Sequence, residues 1–201
     1  MKSNSSDTYL TIAAPSQGLY KEKGSKFISF AYPIQSEEEI KNILGQLKKE
    51  YYDARHHCFA FMLGTNATRY RANDDGEPNH SAGDPILGQI RSAGITNVLV
   101  VVVRYFGGIK LGVSGLIYAY RTAAADALAN AEIIEKIEMD TLTVSFDYEQ
   151  MNTVMSVIKD LKLEVLTQDF ELNCRLVIAS RKNITDQVKT KLNGVAAVTP
   201  V

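Results

Sequence analysis

The chain has 201 residues, 45% hydrophobic and 22% charged, close to the averages of globular proteins, so one large domain or two small ones would both leave a buried core. No apolar run approaches the ~20 residues that span a bilayer, and Met1-Lys2-Ser3-Asn4-Ser5-Ser6-Asp7 lacks the apolar stretch of a secretory signal, so a cytoplasmic protein without membrane contact is expected. A net charge of -1 and a pI near 6.3 argue against a general nucleic-acid coat protein, which would carry a large positive excess.

In chain order, Lys26 to Ile34 is rich in aromatic and branched residues and reads as a strand. Ser36-Glu37-Glu38-Glu39 is a capping box, which starts a helix whose Ile40, Ile43, Leu44, Leu47 and Tyr51 form one apolar stripe. His57 to Leu63 and Thr68 to Ala72 read as a hairpin turning at Gly64-Thr65-Asn66. Beyond a turn-rich stretch, Ile86, Leu87 and Ile90, with Ile95 less surely placed, mark a short helix ended by Gly94. Asn97 to Tyr105 contains Val98-Leu99-Val100-Val101-Val102-Val103, apolar on both faces, as in a central strand covered on both sides. A glycine-rich turn from Gly107 to Gly115 leads into an alanine-rich helix, Leu116 to Asn130.

From Met139 the pattern restarts. Leu142, Val144, Phe146 and Tyr148 alternate with polar residues, and Met151, Val154, Met155, Ile158 and Leu161 mark a helix. Strands at Leu163 to Thr167 and Leu172 to Ala179, a helix with Ile184, Val188 and Leu192, and a strand at Val195 to Val198 complete the order βαββαβ, that of a ferredoxin-like module. The reading is therefore α+β with two domains, 1–137 and 138–201. The second carries seven Lys/Arg against nine Asp/Glu, so charge alone will not hold nucleic acid there. Cys58 and Cys174 lie far apart without metal-ligand spacing and read as buried thiols.

Three segments carry the functional signal. Between Pro85 and Ala125 the chain holds Arg91, Arg104, Lys110 and Arg121 and no acidic residue, which suits an anionic partner. Tyr105, Phe106 and Tyr120 are rings available for base stacking. Gly107, Gly108 and Gly112 lie between a buried strand and a helix start, where backbone amides can cradle a phosphate or the glycines can simply permit a tight turn. Val113 stands where a Walker A loop needs lysine, so an NTPase is not expected. Asp74-Asp75-Gly76-Glu77-Pro78 offers Asp74, Asp75 and Glu77 as weak candidates for a hard cation, against the plainer reading of a solvated turn. His56 and His57 are adjacent on a strand and face opposite ways, so at most one joins a given site.

In this order, Asp53-Ala54-Arg55-His56-His57-Cys58, Asp74-Asp75-Gly76-Glu77-Pro78 and Val103-Arg104-Tyr105-Phe106-Gly107-Gly108-Ile109-Lys110-Leu111-Gly112 resemble the Impact/YigZ family over most of residues 20–130. The resemblance implies a first domain with the fold of the second domain of ribosomal protein S5. It also implies a ferredoxin-like tail as in the bacterial members, a pairing similar to the last two domains of the translocating elongation factor. The resemblance implies that the eukaryotic relatives are translational regulators that act through a protein partner; their extra N-terminal domain is not expected here, so that mechanism is not simply carried over. Asn79-His80 and Ser114 depart from the small residues and glycine usual at those positions.

These readings lead to the expectation of a translation-linked regulator that binds RNA or the ribosome, or a translation-regulating protein, with no cofactor and no DNA specificity. A metal-assisted enzyme acting on a small phosphorylated ligand, or a protein-interaction module, are the alternatives. No catalytic triad is recognisable, and the sequence leans away from catalysis.

Overall fold

A computed structural model describes residues 7–170 and 173–201. Met1 to Ser6, and Leu172, expected to open a strand, lie outside the described residues. The chain is mixed α and β: in order, β1 (Thr8–Ile12), β2 (Ser16–Glu22), β3 (Ser25–Pro33), α1 (Glu37–Glu50), β4 (His56–Leu63), β5 (Arg69–Asn73), α2 (Gly83–Ser92), β6 (Val98–Tyr105), α3 (Gly112–Ala129), β7 (Ile133–Ile137), β8 (Met139–Phe146), α4 (Met151–Asp160), β9 (Glu164–Phe170), β10 (Cys174–Arg181), α5 (Thr185–Leu192) and β11 (Ala197–Pro200). Two compact units divide it, residues 9–136 and residues 137–201 with Asp7 and Thr8. No helix among the described residues is long and apolar enough to cross a membrane.

In the first unit an antiparallel sheet has the order β2-β3-β6-β4-β5. Strand alternation sorts β6 between two cores. Val98, Val100 and Val102 face α2 and α3, while Leu99, Val101 and Val103 face α1 with Phe30, Phe61, Ile40 and Leu47. The same parity puts Arg104 on the α2/α3 face at the end of β6. Across the ladder His56 pairs with Arg104 and His57 with Val103, so the two histidines part to opposite faces. α3 approaches the sheet closely because it presents Ala119, Ala123, Ala124 and Ala127, and because β2 has Gly18 beneath it, where a Cβ would lie 2.5 Å from the Ala127 amide. The buried Ser29 hydroxyl donates to the Ala123 carbonyl at 2.6 Å, which ties the helix to β3.

Ser36 caps α1, accepting from the Glu39 amide at 3.2 Å, and Glu39 reaches back to the Gln35 amide rather than the Ser36 amide of the expected box. α3 starts at Gly112, four residues before the expected Leu116, so the second half of the glycine-rich stretch is helix. β1, β2 and β7 carry too little alternating apolar pattern to be read in the sequence; β2 is laid down by its full-length pairing with β3.

The second unit has the order β8-α4-β9-β10-α5-β11 and a four-stranded sheet, β11-β8-β10-β9, whose neighbours all run antiparallel. Leu142, Val144, Phe146, Leu176 and Ile178 from the sheet pack with Val154, Ile158, Val188 and Leu192 from the two helices. Cys174 is buried in this core and Cys58 in that of the first unit, both as free thiols.

Candidate functional site

The parity of β4 and β6 leaves His56 and Arg104 side by side at one end of the sheet, on the face that α3 covers. Against them lie Glu77 and Pro78 of the acidic turn, Phe106, Lys110 and Leu111 of the loop after β6, and Gly112 and Val113 at the start of α3. These residues, with Arg55 and Leu116, line a cleft of about 370 Å³. The three segments singled out in the sequence therefore meet at one place, within the first unit. The volume is at the small end of the ~300–1,000 Å³ typical of small-ligand sites.

Glu77 organises the floor. Its Oε1 accepts from Arg104 Nη1 at 2.5 Å and from the Tyr120 hydroxyl at 2.8 Å, and all three side chains are buried. A buried carboxylate needs such partners, because desolvation without them would cost several kcal/mol. Cys58 Sγ lies 3.3 Å from the Tyr120 oxygen and 3.0 Å from the Asp74 carbonyl. Burial, partly offset by the Tyr120 hydrogen bond, pushes the Cys58 thiol far above the ordinary range, which disfavours the nucleophilic thiolate. Burial likewise raises the Tyr120 phenol.

His56 Nδ1 is 2.8 Å from the Asp75 carbonyl oxygen, an acceptor, so Nδ1 carries a proton and Nε2 is the ring nitrogen turned toward Glu77, 3.9 Å from Oε1. The Asp75 backbone, with φ 41°, is in the left-handed region that turns favour. His57 sits apart on the α1 side, where burial, opposed by Asp75, lowers its basicity.

The three carboxylates of the acidic turn do not converge. Asp74 Oδ1 accepts from the amides of Ala82 and Gly83 and Oδ2 from that of His80, Asp75 Oδ2 accepts from the His57 amide, and Glu77 holds Arg104. No group of three or more His, Cys, Asp or Glu among the described residues is placed to hold a metal ion. Each carboxylate of the weak cation candidates Asp74, Asp75 and Glu77 is committed to its own donors.

Burial and position sort the remaining candidates. Tyr120 is fully buried against Phe27 at 5.1 Å and cannot stack on a base, and Arg104 is a floor residue, 5% exposed, rather than a surface arm. Arg91 and Arg121 stand away from the cleft, over the rings of Tyr70 and Tyr118. Tyr105 donates to Asp53 at 2.8 Å and does not line it either. Gly107 serves packing, since a Cβ there would fall 1.9 Å from the Gly24 carbonyl carbon. Gly108 follows it in the exposed loop. Phe106, 44% exposed, Lys110 and Gly112 remain at the cleft. Arg55 joins them although the acid-free window from Pro85 to Ala125 did not reach it; its place beside His56 was the available signal.

A family model described as the Impact N-terminal domain matches residues 23–128, more than half of the chain, and includes every residue of this cleft. The chain belongs to the IMPACT family. An IMPACT family member of Haemophilus influenzae is 31% identical over 172 residues, covering 85% of this chain and 84% of that protein. The IMPACT family member YigZ of Escherichia coli is 30% identical over 175 residues, 86% of each chain. Eukaryotic proteins named IMPACT homologues, from Dictyostelium discoideum and Saccharomyces cerevisiae, match 45% of this chain. A crystal structure of a hypothetical protein superimposes with a TM-score of 0.74 at 28% identity, covering 96% of this IMPACT chain and 97% of its own.

Proposed function

We propose that this IMPACT-family chain is a translation-linked RNA-binding protein that takes a phosphate-bearing segment of RNA in the cleft of its first unit. The observation that carries this reading is the meeting of Arg55, Lys110 and the exposed Phe106 ring at one cleft, beside the start of α3. Cations beside an exposed aromatic are the equipment of single-strand recognition, in which phosphates meet the charges and a base meets the ring. Arg104 is neutralised by Glu77, so Arg55 and Lys110 supply the attraction. On this reading the first unit has the fold of the second domain of ribosomal protein S5. The second is ferredoxin-like, which its βαββαβ order and antiparallel four-stranded sheet support. The pair is that of proteins that touch the ribosome, and the site of action is cytoplasmic.

Fluorescence anisotropy with single-stranded and hairpin RNA, at low and near-physiological salt, tests the proposal. Wild-type binding should weaken as salt rises, and the exposed double variant Arg55→Ala/Lys110→Ala should lose most of the affinity and flatten the salt dependence. No wild-type binding even at low salt would sink it.

A further inference from the structure

We propose that the cleft is a subsite for a phosphate monoester, the terminal phosphate of an RNA strand or of a nucleotide. α3 is an 18-residue helix whose first residues, Gly112 and Val113, line the cleft; its N-cap, Leu111, supplies no capping side chain, and its first turn holds no acidic residue. The N-terminal amides and the positive end of the helix dipole are thus left for a ligand. A second, independent observation points the same way. The Arg104 side chain, 6% exposed, lines the same cleft, and its Nε is a buried donor with no partner among the described residues. Buried donors are nearly always paired in native proteins, and a small shift of Arg104 toward an acceptor seated at the cleft floor would pair this one.

Charge decides between a monoester and an internal diester. Glu77 cancels Arg104, which leaves Arg55 and Lys110, neither with an ion-pair partner among the described residues. Two uncompensated cations and a helix N-terminus match a terminal phosphate, which carries about -1.5 to -2 near neutral pH, better than the single charge of a diester. The His56 side chain also lines the cleft. Phe106, Pro78, Leu111, Val113 and Leu116 give the remainder an apolar wall suited to a base. The subsite rests on the RNA-binding reading only for RNA as the carrier of the phosphate.

The test pairs adenosine 5′-monophosphate with adenosine in calorimetry, and a 5′-phosphorylated with a 5′-hydroxyl single-stranded RNA of one sequence in anisotropy. The phosphorylated member of at least one pair should bind about tenfold or more tightly. Lys110→Ala, at an exposed position, should erase that preference without changing the melting temperature. Equal affinity within both pairs overturns the subsite while leaving RNA binding standing. Preference for the nucleotide with no RNA bound in any form overturns the RNA reading and supports the subsite, and no binding of any probe overturns both.

Discussion

Glu77, Arg104 and Tyr120 are a single electrostatic unit. Arg104→Ala would leave the Glu77 carboxylate buried with, among the described residues, only the Tyr120 hydroxyl as a short contact, and removing one partner of a buried pair costs ~3–5 kcal/mol. Since small proteins have only ~5–15 kcal/mol of stability, urea unfolding should show the variant close to collapse; a loss under ~1 kcal/mol would mean that water reaches the pair. The Cys58 thiol is predicted to be inert to alkylation at pH 8 in the folded protein, because burial raises it, and to react on unfolding. Mass spectrometry after brief iodoacetamide exposure reads this directly, and rapid native labelling of Cys58 would contradict it. His57 gives the fold a pH dependence. Burial lowers its affinity for a proton below the ordinary 6.5, so the unfolded chain takes up a proton that the folded chain refuses. Its contribution is complete above the ordinary value and declines as pH falls through it. The urea midpoint should therefore fall between pH 7.5 and 5.5, and fall less in His57→Phe; equal drops in both would show that other groups dominate.

At the scale of elements, α2 is capped from a distance. Its N-cap, Ala82, has no side-chain oxygen, and Asp74, on the preceding turn, accepts from the Ala82 and Gly83 amides at 2.9 and 2.8 Å. Burial alone would raise the Asp74 carboxyl, but with these amides and that of His80 it ends below its ordinary value. Asp74→Ala should cost about 1–2 kcal/mol, the worth of a strong cap, seen as a lower urea midpoint; an unchanged midpoint would remove the cap from the account. Gly45 is the opposite case, exposed inside α1, where an added methyl group would meet nothing within 4 Å. Gly45→Ala should stabilise by about 0.5–1 kcal/mol, and a lower melting temperature would contradict that. α1, β3, β4 and β6 were legible because burial sets their apolar patterns, on one face of α1 and on both faces of the three strands. β1, β2 and β7 were not, because what holds them is pairing with partners, some of them distant in sequence, rather than a pattern of their own. The burial of Arg104 follows from the parity of Val100 and Val102, which the sequence shows; its Glu77 partner is 27 residues away and is visible only in three dimensions.

Over the whole molecule, the near-neutral net charge conceals a local arrangement: acidic residues of the 74–77 turn are absorbed by caps and by Arg104, while Arg55 and Lys110 remain exposed at one cleft. Composition could not show this, since a charge count treats a buried carboxylate and a solvated one alike. The three motifs were legible as a set, and their order carried the family; that they form one cleft depends on the sheet's crossover order, which no single motif contains. The most direct test of that claim is amide chemical-shift mapping on the intact protein during titration with a short 5′-phosphorylated single-stranded RNA. The account predicts shifts clustered at Arg55, His56, Glu77 and Phe106 to Val113, and largely absent in Arg55→Ala/Lys110→Ala. Shifts confined to residues 138–201, or spread without focus over the surface, would contradict it.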